Sequence, residues 1–192
     1  MEPSDEYLYQ RLQAGDEAAL EPLLNRYHGP VLQFFTWQLG NQSSAEDVLQ
    51  EMWTRIITWN GAPPQRFKAW MWKIATNLAR DYLRSAAYRR EHPHYEYAND
   101  AEYPPLHMQA EPTDEWLLRN DDRRSVQQAL AQLSPNHREV VVLRFYQELK
   151  LEEIAEVVGV PLGTVKSRLF HALKQLKAVL EQHKGWVYDA MA

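Results

Sequence analysis

Cationic and small polar side chains are concentrated in one short segment, "GVPLGTVKSRLFHALKQLK", which covers residues 159–177. Residues 161–177 contain four Lys or Arg and no acid, although the whole chain has a formal net charge of -5. Lysine and arginine bind phosphate groups, and hydroxyl and imidazole side chains between them can hydrogen-bond to the edges of bases. The segment therefore predicts a surface that binds nucleic acid.

The spacing of apolar residues places this segment in two helices joined by a tight turn. Gly159 suits the left-handed position after the first helix, and a second helix follows Pro161. A helix-turn-helix inserts its second helix into the DNA major groove. The predicted buried residues of that helix are Val165, Leu169, Ala172, Leu173, Leu176 and Leu180. The predicted DNA-contacting residues are Thr164, Lys166, Ser167, Arg168, Phe170, His171 and Lys174.

An amphipathic hairpin with a solvated lysine face is the alternative interpretation of this segment. The glycine turn and the lack of acids argue against it. So does the outward Phe170, because an exposed aromatic ring gains from contact with a thymine methyl group or with a partner. DNA binding is the better hypothesis.

A second basic segment, "RFKAWMWKIATNLARDYLRSAAYRR", covers residues 66–90 and has seven Lys or Arg against one acid. Its spacing predicts a helix that buries Phe67, Trp70, Met71, Ile74, Leu78 and Tyr82. The same rotation predicts an outward face of Trp72, Lys73, Thr76 and Arg80. A tryptophan among cations can stack on unpaired bases, with packing against a neighbouring helix as the alternative. The preceding loop, "WNGAPPQ", is predicted to supply a rim beside a flipped base.

A third segment, "SSAEDVLQEMWTRIITW", predicts a helix with a polar outer strip. Val48, Leu49, Met52 and Ile56 fall on its buried face. Ser44 is the expected N-terminal cap, and acids near a helix start suit the dipole there. Capping does not explain why polar residues continue along the outer side of the helix beyond its first turn. This polar strip therefore predicts a docking surface for a protein. The strip consists of Asp47, Gln50, Glu51 and Thr54.

Composition limits the class of protein. The 192 residues are 45% hydrophobic and 24% charged, which is enough for a packed core, and no cysteine is present for disulfides or thiolate metal sites. No apolar run approaches the roughly 18 residues of a membrane span, and the acidic N-terminus lacks the apolar region of a signal peptide. The expectation is a cytoplasmic protein without membrane insertion.

An acidic, proline-containing stretch divides the chain. Residues 91–122 hold nine acids and one base, and four prolines interrupt the helical pattern, which predicts an irregular linker before a new helix capped by Thr113. The predicted fold is all-α, with helical domains at residues 1–90 and 113–184, a linker at 91–112 and a tail at 185–192. The second domain is the helix-turn-helix.

No catalytic group, metal site or cofactor is predicted. The chain lacks a phosphate-binding loop, a nucleophile elbow and a metal-ligand cluster. The linker histidines His92, His94 and His107 lack cysteines or a paired carboxylate pattern beside them, so solvated side chains are expected there rather than metal ligands.

The order of these segments resembles a bacterial RNA polymerase sigma factor of the extracytoplasmic-function (ECF) class. The likeness is carried by "AEDVLQEMW", "RFKAWMWKIATNLARDYLR" and "LSPNHREVVVLRFYQELKLEEIAEVVGVPLGTVKSRLFHALKQLK", together with "GDEAALEPLLNRY" near the start. The resemblance implies an exchangeable specificity subunit of the polymerase, not an enzyme. One departure is Lys150, which stands where the family usually has a capping Ser or Thr. The loss costs about 1 kcal/mol and predicts a frayed helix start.

The resemblance also implies roles for the three segments. Core RNA polymerase would dock on the polar strip, and the helix at residues 162–177 would read the minus-thirty-five promoter element as duplex DNA. The loop at residues 60–66 and the helix after it would melt the minus-ten element and capture its single strand. The implied minus-ten residues are Asn60, Gln65, Arg66, Trp72, Lys73, Thr76, Asn77, Arg80 and Arg84. The linker would thread the polymerase's RNA path, and a dedicated anti-sigma factor would cover these surfaces.

Two other hypotheses remain open from the residues alone. A stand-alone helix-turn-helix activator would explain the C-terminal helix but leaves Trp72 and the polar strip without a role. A helical protein-interaction adaptor would make the basic faces ordinary surface, and it predicts no salt-sensitive DNA binding.

Overall fold

The computed structural model describes residues 3–85 and 128–189, with side chains up to residue 179. These residues form helices and contain no strand, as predicted for an all-α protein. The helices are α1 (Asp5–Gln13), α2 (Leu20–Leu39), α3 (Gln42–Ile57), α4 (Phe67–Arg84), α5 (Pro135–Phe145), α6 (Leu151–Val158) and α7 (Leu162–Asp189), with a 3-10 turn at Glu17–Ala19. The predicted linker, with its histidines and the Thr113 cap, lies outside the described residues.

Helices α1 to α4 pack around one apolar core. Because Gly40 ends α2 in the left-handed conformation, at a φ of 69°, the chain can turn directly into α3. Tyr9 of α1 is buried and donates a hydrogen bond of 3.0 Å to the carbonyl oxygen of Ile56 at the end of α3. This burial raises the pKa of Tyr9 to about 12. The fully buried side chains of this core include Leu23, Val31, Phe34, Phe35, Met52, Ile56, Phe67 and Met71.

Helices α5, α6 and α7 form the C-terminal domain, named here for described residues 128–189. Ser134 caps α5 by accepting a hydrogen bond of 3.3 Å from the backbone N–H of His137. Gly159 ends α6 at a φ of 72°, and α7 begins three residues later, so the predicted helix-turn-helix is confirmed. Its core contains Val140, Val142, Leu143, Ile154, Val165 and Ala172, all fully buried.

The N-terminal capping of α3 and α6 differs from the sequence prediction. Asn41, not Ser44, caps α3, because the helix begins three residues earlier than the pattern indicated and the Asn41 Oδ1 accepts the Ser44 N–H at 2.9 Å. The Ser44 hydroxyl instead lies 2.6 Å from the Tyr82 hydroxyl of α4. At α6, the carboxylate of Glu153 accepts the backbone N–H of Lys150 at 2.9 Å. This bond holds the helix start that the sequence predicted to fray.

The buried stripe of α7 is narrower than predicted. Val165 and Ala172 are fully buried against the rest of the domain, but Leu173 is 41% exposed. The reason is rotation, since Leu173 lies about 100° around the helix from Ala172 and therefore points away from the packed side. The helix also continues to Asp189, into the predicted tail, and Leu180 lies outside the described side chains.

None of the described helices combines the length and the apolar composition needed to span a bilayer.

Candidate nucleic-acid interface

The outer face of α7 presents the cations and polar groups that the sequence placed there. Phe170 is 66% exposed, and Arg168 and Thr164 are half-buried. No acid occurs between residues 162 and 179, the part of this helix whose side chains the structure describes. The remaining predicted contacts are exposed, namely Lys166, Ser167, His171 and Lys174. The face can bind phosphates with its cations and offers hydroxyl and imidazole groups to base edges.

A shallow cavity of about 250 Å³ lies beside this face, between the N-terminal ends of α5 and α7. The ring of His137 stacks near that of His171, with centroids 6.5 Å apart and an angle of 27° between the planes. Ser134, Asn136 and Arg168 complete its polar lining together with Thr164 and Ser167. The concave polar surface extends the α7 face toward α5.

The structure contradicts the outward position of Trp72 on α4. Trp72 is 0% exposed, and its ring meets that of Phe34 in α2 edge-to-face, with centroids 5.4 Å apart. The sequence pattern assumed one buried face, but α4 packs against α1, α2, α3 and α6 and therefore buries most of its circumference. Trp72 is a core residue and cannot stack on a base in this structure.

Thr76 is also buried, one helical turn after Trp72, where its hydroxyl bonds the carbonyl oxygen of Lys73 at 3.1 Å. It was predicted to face outward, and the same wide burial of α4 explains the error. Trp70, Ile74 and Tyr82, which were predicted to be buried, are half-buried. Exposed minus-ten candidates remain at Asn60, Gln65, Arg66, Lys73, Asn77 and Arg84.

The exposed tryptophan of this region is Trp59, in the loop between α3 and α4. It is 45% exposed, its Nε1 donates to the carbonyl oxygen of Ala62 at 3.2 Å, and its ring rests edge-on against Trp70 at 5.7 Å. A Cβ added at Gly61 would lie 2.7 Å from the Trp59 ring, so only glycine lets the loop fold back over the indole. The loop thus presents a fixed aromatic surface to solvent.

Gln13 of α1 secures this loop from the other side. Its side-chain amide donates to the carbonyl oxygens of Trp59 and Gly61, at 3.4 and 3.3 Å. Sequence reasoning named the loop but missed Trp59. The available signal was the position of Trp59 between the end of α3 and the turn-forming residues Gly61, Pro63 and Pro64.

The polar strip on α3 is exposed along its whole length, as its spacing predicted. Asp47, Gln50, Glu51 and Thr54 are all exposed, while Val48, Leu49, Met52 and Ile56 are buried. Arg55 pairs with Glu51 at 2.6 Å, one turn along the same helix. The strip is accessible to a protein partner without any rearrangement of its own helix.

A buried arginine that the sequence analysis missed joins the C-terminal domain to α2. Arg138 is 0% exposed and donates to the carbonyl oxygens of Trp37 and Gln38 in the last turn of α2, at 2.6 and 3.4 Å. It also donates to the carbonyl oxygens of Leu130, Ala131 and Leu133, at 2.8 to 3.0 Å. Carbonyls at a helix end carry partial negative charge and stabilise this cation.

Arg80 of α4 forms a second link between the two parts of the chain. One guanidinium nitrogen donates to Glu139 Oε2 of α5 at 2.7 Å, and the other donates to the carbonyl oxygen of Val158 at 3.0 Å. Burial raises the pKa of Glu139 above its ordinary value, while the charges of Arg80 and Arg168 oppose that rise. Arg138 and Glu139 both occupy positions four residues before apolar residues of α5, a spacing that could have identified them as buried.

Within residues 3–85 and 128–179, no group of three or more His, Asp or Glu side chains is positioned to hold a metal ion.

Comparison with known families gives two matches. Residues 23–89 match the family model of sigma-70 region 2, and residues 129–178 match that of sigma-70, region 4. RNA polymerase sigma-H factor of Pseudomonas aeruginosa is 30% identical, over 92% of this chain and 94% of its own. ECF RNA polymerase sigma factor SigL of Mycobacterium tuberculosis is 32% identical, over 88% of this chain and 93% of its own.

Solved structures share the fold. CnrH, in its complex with the cytosolic domain of CnrY, superposes with a TM-score of 0.63 and 23% identity, covering 93% of this chain and 97% of that chain. At this identity the likeness supports the fold alone.

Proposed function

The chain belongs to the sigma-70 family as a sigma factor of the ECF class, and from that premise we propose which of its surfaces perform each step of transcription initiation. A sigma factor binds core RNA polymerase and directs it to promoters. The boundaries that we propose for this division of work are the domains at residues 1–90 and 113–184, the linker at 91–112 and the tail at 185–192.

Core polymerase docks on the α3 strip. Asp47, Gln50, Glu51 and Thr54 form a continuous exposed surface on a helix whose opposite side is fixed in the core. A rigid helix presents such groups with little loss of conformational freedom on binding. This exposed strip is the observation that favours a polymerase subunit over a stand-alone activator, which needs no such surface.

The α3–α4 loop captures the melted minus-ten strand, with Trp59 in the stacking role that Trp72 cannot take. An indole face exposed in a fixed loop can stack on an unpaired base, a contact worth about 1–3 kcal/mol. Arg66 and the exposed polar residues Asn60 and Gln65 border the loop and supply contacts to the sugar-phosphate chain and base edges. Lys73, Asn77 and Arg84 extend the track along α4.

Helix α7 reads the minus-thirty-five element in the major groove. Lys166, Lys174 and Arg168 contact phosphates, and Ser167, His171 and Phe170 face base edges. The cavity beside His137 allows the backbone of one strand to approach the start of α5. Duplex readout by α7 and single-strand capture by the loop require two separate DNA segments.

We further infer a cytoplasmic site of action, no catalytic activity of its own, and regulation by an anti-sigma factor. The cytoplasm is where bacterial core polymerase and promoter DNA meet. Two structural neighbours are complexes, that of CnrH with the cytosolic domain of CnrY and that of the sigma factor RpoE with the anti-sigma factor NepR from Bartonella quintana.

Co-elution with bacterial core RNA polymerase on a sizing column tests the function. Wild type is expected to join the core, and the Asp47→Arg/Gln50→Arg variant is expected to lose most of that binding. Glu17→Arg/Asn25→Arg is the matched control, because both residues are exposed outside the strip and the charge change is equal. If wild type fails to join the core, the function is wrong. Equal loss in both variants would remove the strip from the docking site.

A further inference from the structure

We propose that α1 positions the loop between α3 and α4, residues 58–66, for capture of the melted minus-ten strand. Gln13 holds the backbone that carries the Trp59 ring, and Glu6 holds the start of the helix that follows the loop. This inference rests on the proposed stacking role of Trp59 and extends it to residues that touch no DNA themselves. Gln13 and Glu6 are therefore positioning residues.

Three side chains on one side of α1 bind the backbone around this loop. Glu6, Tyr9 and Gln13 are three and four residues apart, so they fall within about 60° of one another around the helix. Tyr9 is buried, Glu6 is half-buried and Gln13 is exposed. The stripe thus runs from the core to the surface, where the loop lies.

Two of these side chains fix the ends of the loop. The Tyr9 hydroxyl donates to the carbonyl oxygen of Ile56 at 3.0 Å, where α3 ends. The Glu6 Oε1 accepts the backbone N–H of Phe67 at 3.0 Å, where α4 begins. Arg66, at the cap position of α4, makes no capping bond with its own side chain. A carboxylate from α1 therefore takes the place of a local cap, and its charge suits the positive end of the helix dipole.

Gln13 fixes the middle of the loop. Its amide nitrogen donates to the carbonyl oxygens of Trp59 and Gly61, at 3.4 and 3.3 Å, on either side of Asn60. Both partners can only accept a hydrogen bond, so the amide nitrogen is the one atom of this side chain that can satisfy them. The two bonds are long and exposed, so they contribute little to the stability of the fold. Their effect is on where the loop lies.

The Trp59 ring depends on both kinds of contact. Its edge-on packing against Trp70 and its bond to the carbonyl oxygen of Ala62 fix the ring relative to α4 and to its own loop. Gln13 fixes that loop relative to α1. Without this anchor the loop samples more orientations, and a smaller fraction of molecules presents the ring ready to stack. Gln13 thus acts on promoter opening through Trp59.

Fluorine NMR of the free, full-length chain labelled with 5-fluorotryptophan tests the positioning. Gln13→Glu keeps the size of the side chain but replaces the donor with a carboxylate oxygen that repels the two carbonyl oxygens. Gln10→Glu is the matched control, because it makes the same charge change on an exposed residue of α1 whose side chain bonds no other described residue. With the Trp59 resonance assigned from Trp59→Phe, it is expected to move in Gln13→Glu and to stay in place in Gln10→Glu.

Promoter opening by the reconstituted holoenzyme tests the consequence. Gln13→Glu should reduce opening about twofold to tenfold, with closed-complex binding unchanged and with Gln10→Glu equal to wild type. In a Trp59→Ala background, Gln13→Glu should cause no further loss, because it acts through the missing ring. Glu6→Ala should also reduce opening, and Glu6→Gln should restore it, since an amide oxygen still accepts the N–H at the start of α4.

A Trp59 resonance that is the same in Gln13→Glu and wild type would overturn the positioning of the loop. Losses from Gln13→Glu and Trp59→Ala that add in full would show that Gln13 does not act through the ring, and equal losses in Glu6→Gln and Glu6→Ala would remove the cap from the proposal. The NMR measurement uses neither polymerase nor DNA. Failure of the proposed function is therefore seen separately, as failure of the wild type to co-elute with the core.

Discussion

The two basic helices, α4 and α7, are similar in sequence and differ in their surroundings. Both combine an apolar stripe with cations and an outward-predicted aromatic residue. In α7 the aromatic residue, Phe170, is 66% exposed, whereas in α4 the corresponding Trp72 is 0% exposed. Helix α7 packs mainly against α5 and α6, whereas α4 packs against α1, α2, α3 and α6. A helical pattern therefore gives the direction of each side chain but not the number of neighbours that meet it.

The largest expected effect separates Trp72 from Trp59. Trp72→Ala removes a fully buried ring and should lower the free energy of unfolding by about 3–5 kcal/mol. Trp59→Ala should cost clearly less, because that ring is 45% exposed and lies in a surface loop. Urea unfolding monitored by circular dichroism measures both. Similar stability losses for the two variants would remove the contrast between them.

The next effect concerns promoter opening. Trp59→Ala should weaken open-complex formation by about 1–3 kcal/mol, or roughly fivefold to 150-fold, with closed-complex binding nearly unchanged. Gly61→Ala should act in the same direction, because the added methyl group would displace the ring. A fluorescence opening assay on the cognate promoter measures this, with Trp59→Phe as the control that keeps an aromatic face. Equal loss of opening and closed-complex binding would contradict the stacking role.

A smaller effect is expected from one exposed cation of α7. Lys174→Ala should weaken duplex binding by the holoenzyme and reduce the slope of log affinity against log salt by about 1. Arg11→Ala removes an exposed cation far from α7 and serves as the control. An unchanged salt slope in filter binding or fluorescence anisotropy would place Lys174 away from phosphate.

The smallest effect is a dependence on pH at the link between α4 and α5. Because the pKa of Glu139 is raised in the folded protein, its contribution to stability is present below its ordinary pKa of 4.5 and is lost as the pH rises through the raised value. The free energy of unfolding of wild type minus that of Glu139→Gln should therefore fall from about pH 4.5 to neutral pH. Urea titrations at several pH values measure this difference. A difference that does not change with pH would contradict a raised pKa for the Glu139 carboxyl.

The sequence predicted the elements better than the surfaces. Helix spacing and the glycine at 159 identified the helix-turn-helix, and the polar strip of α3 was placed correctly, since each depends on a local period and one apolar side. Trp72 and Thr76 were misplaced because their burial depends on helices from elsewhere in the chain that pack around α4, among them α2, whose Phe34 meets the Trp72 ring. Arg138 was missed for the same reason, since two of the five carbonyl partners described above lie about 100 residues earlier.

The most direct test of the central claim is promoter-dependent transcription by core RNA polymerase reconstituted with this chain. Wild type and the Glu17→Arg/Asn25→Arg control are expected to join the core on a sizing column and to start transcription from the cognate promoter. The Asp47→Arg/Gln50→Arg variant is expected to lose most of both activities, because the changed residues lie in the exposed strip of α3. Failure of the wild type to join the core, or equal loss in the variant and the control, would contradict the claim.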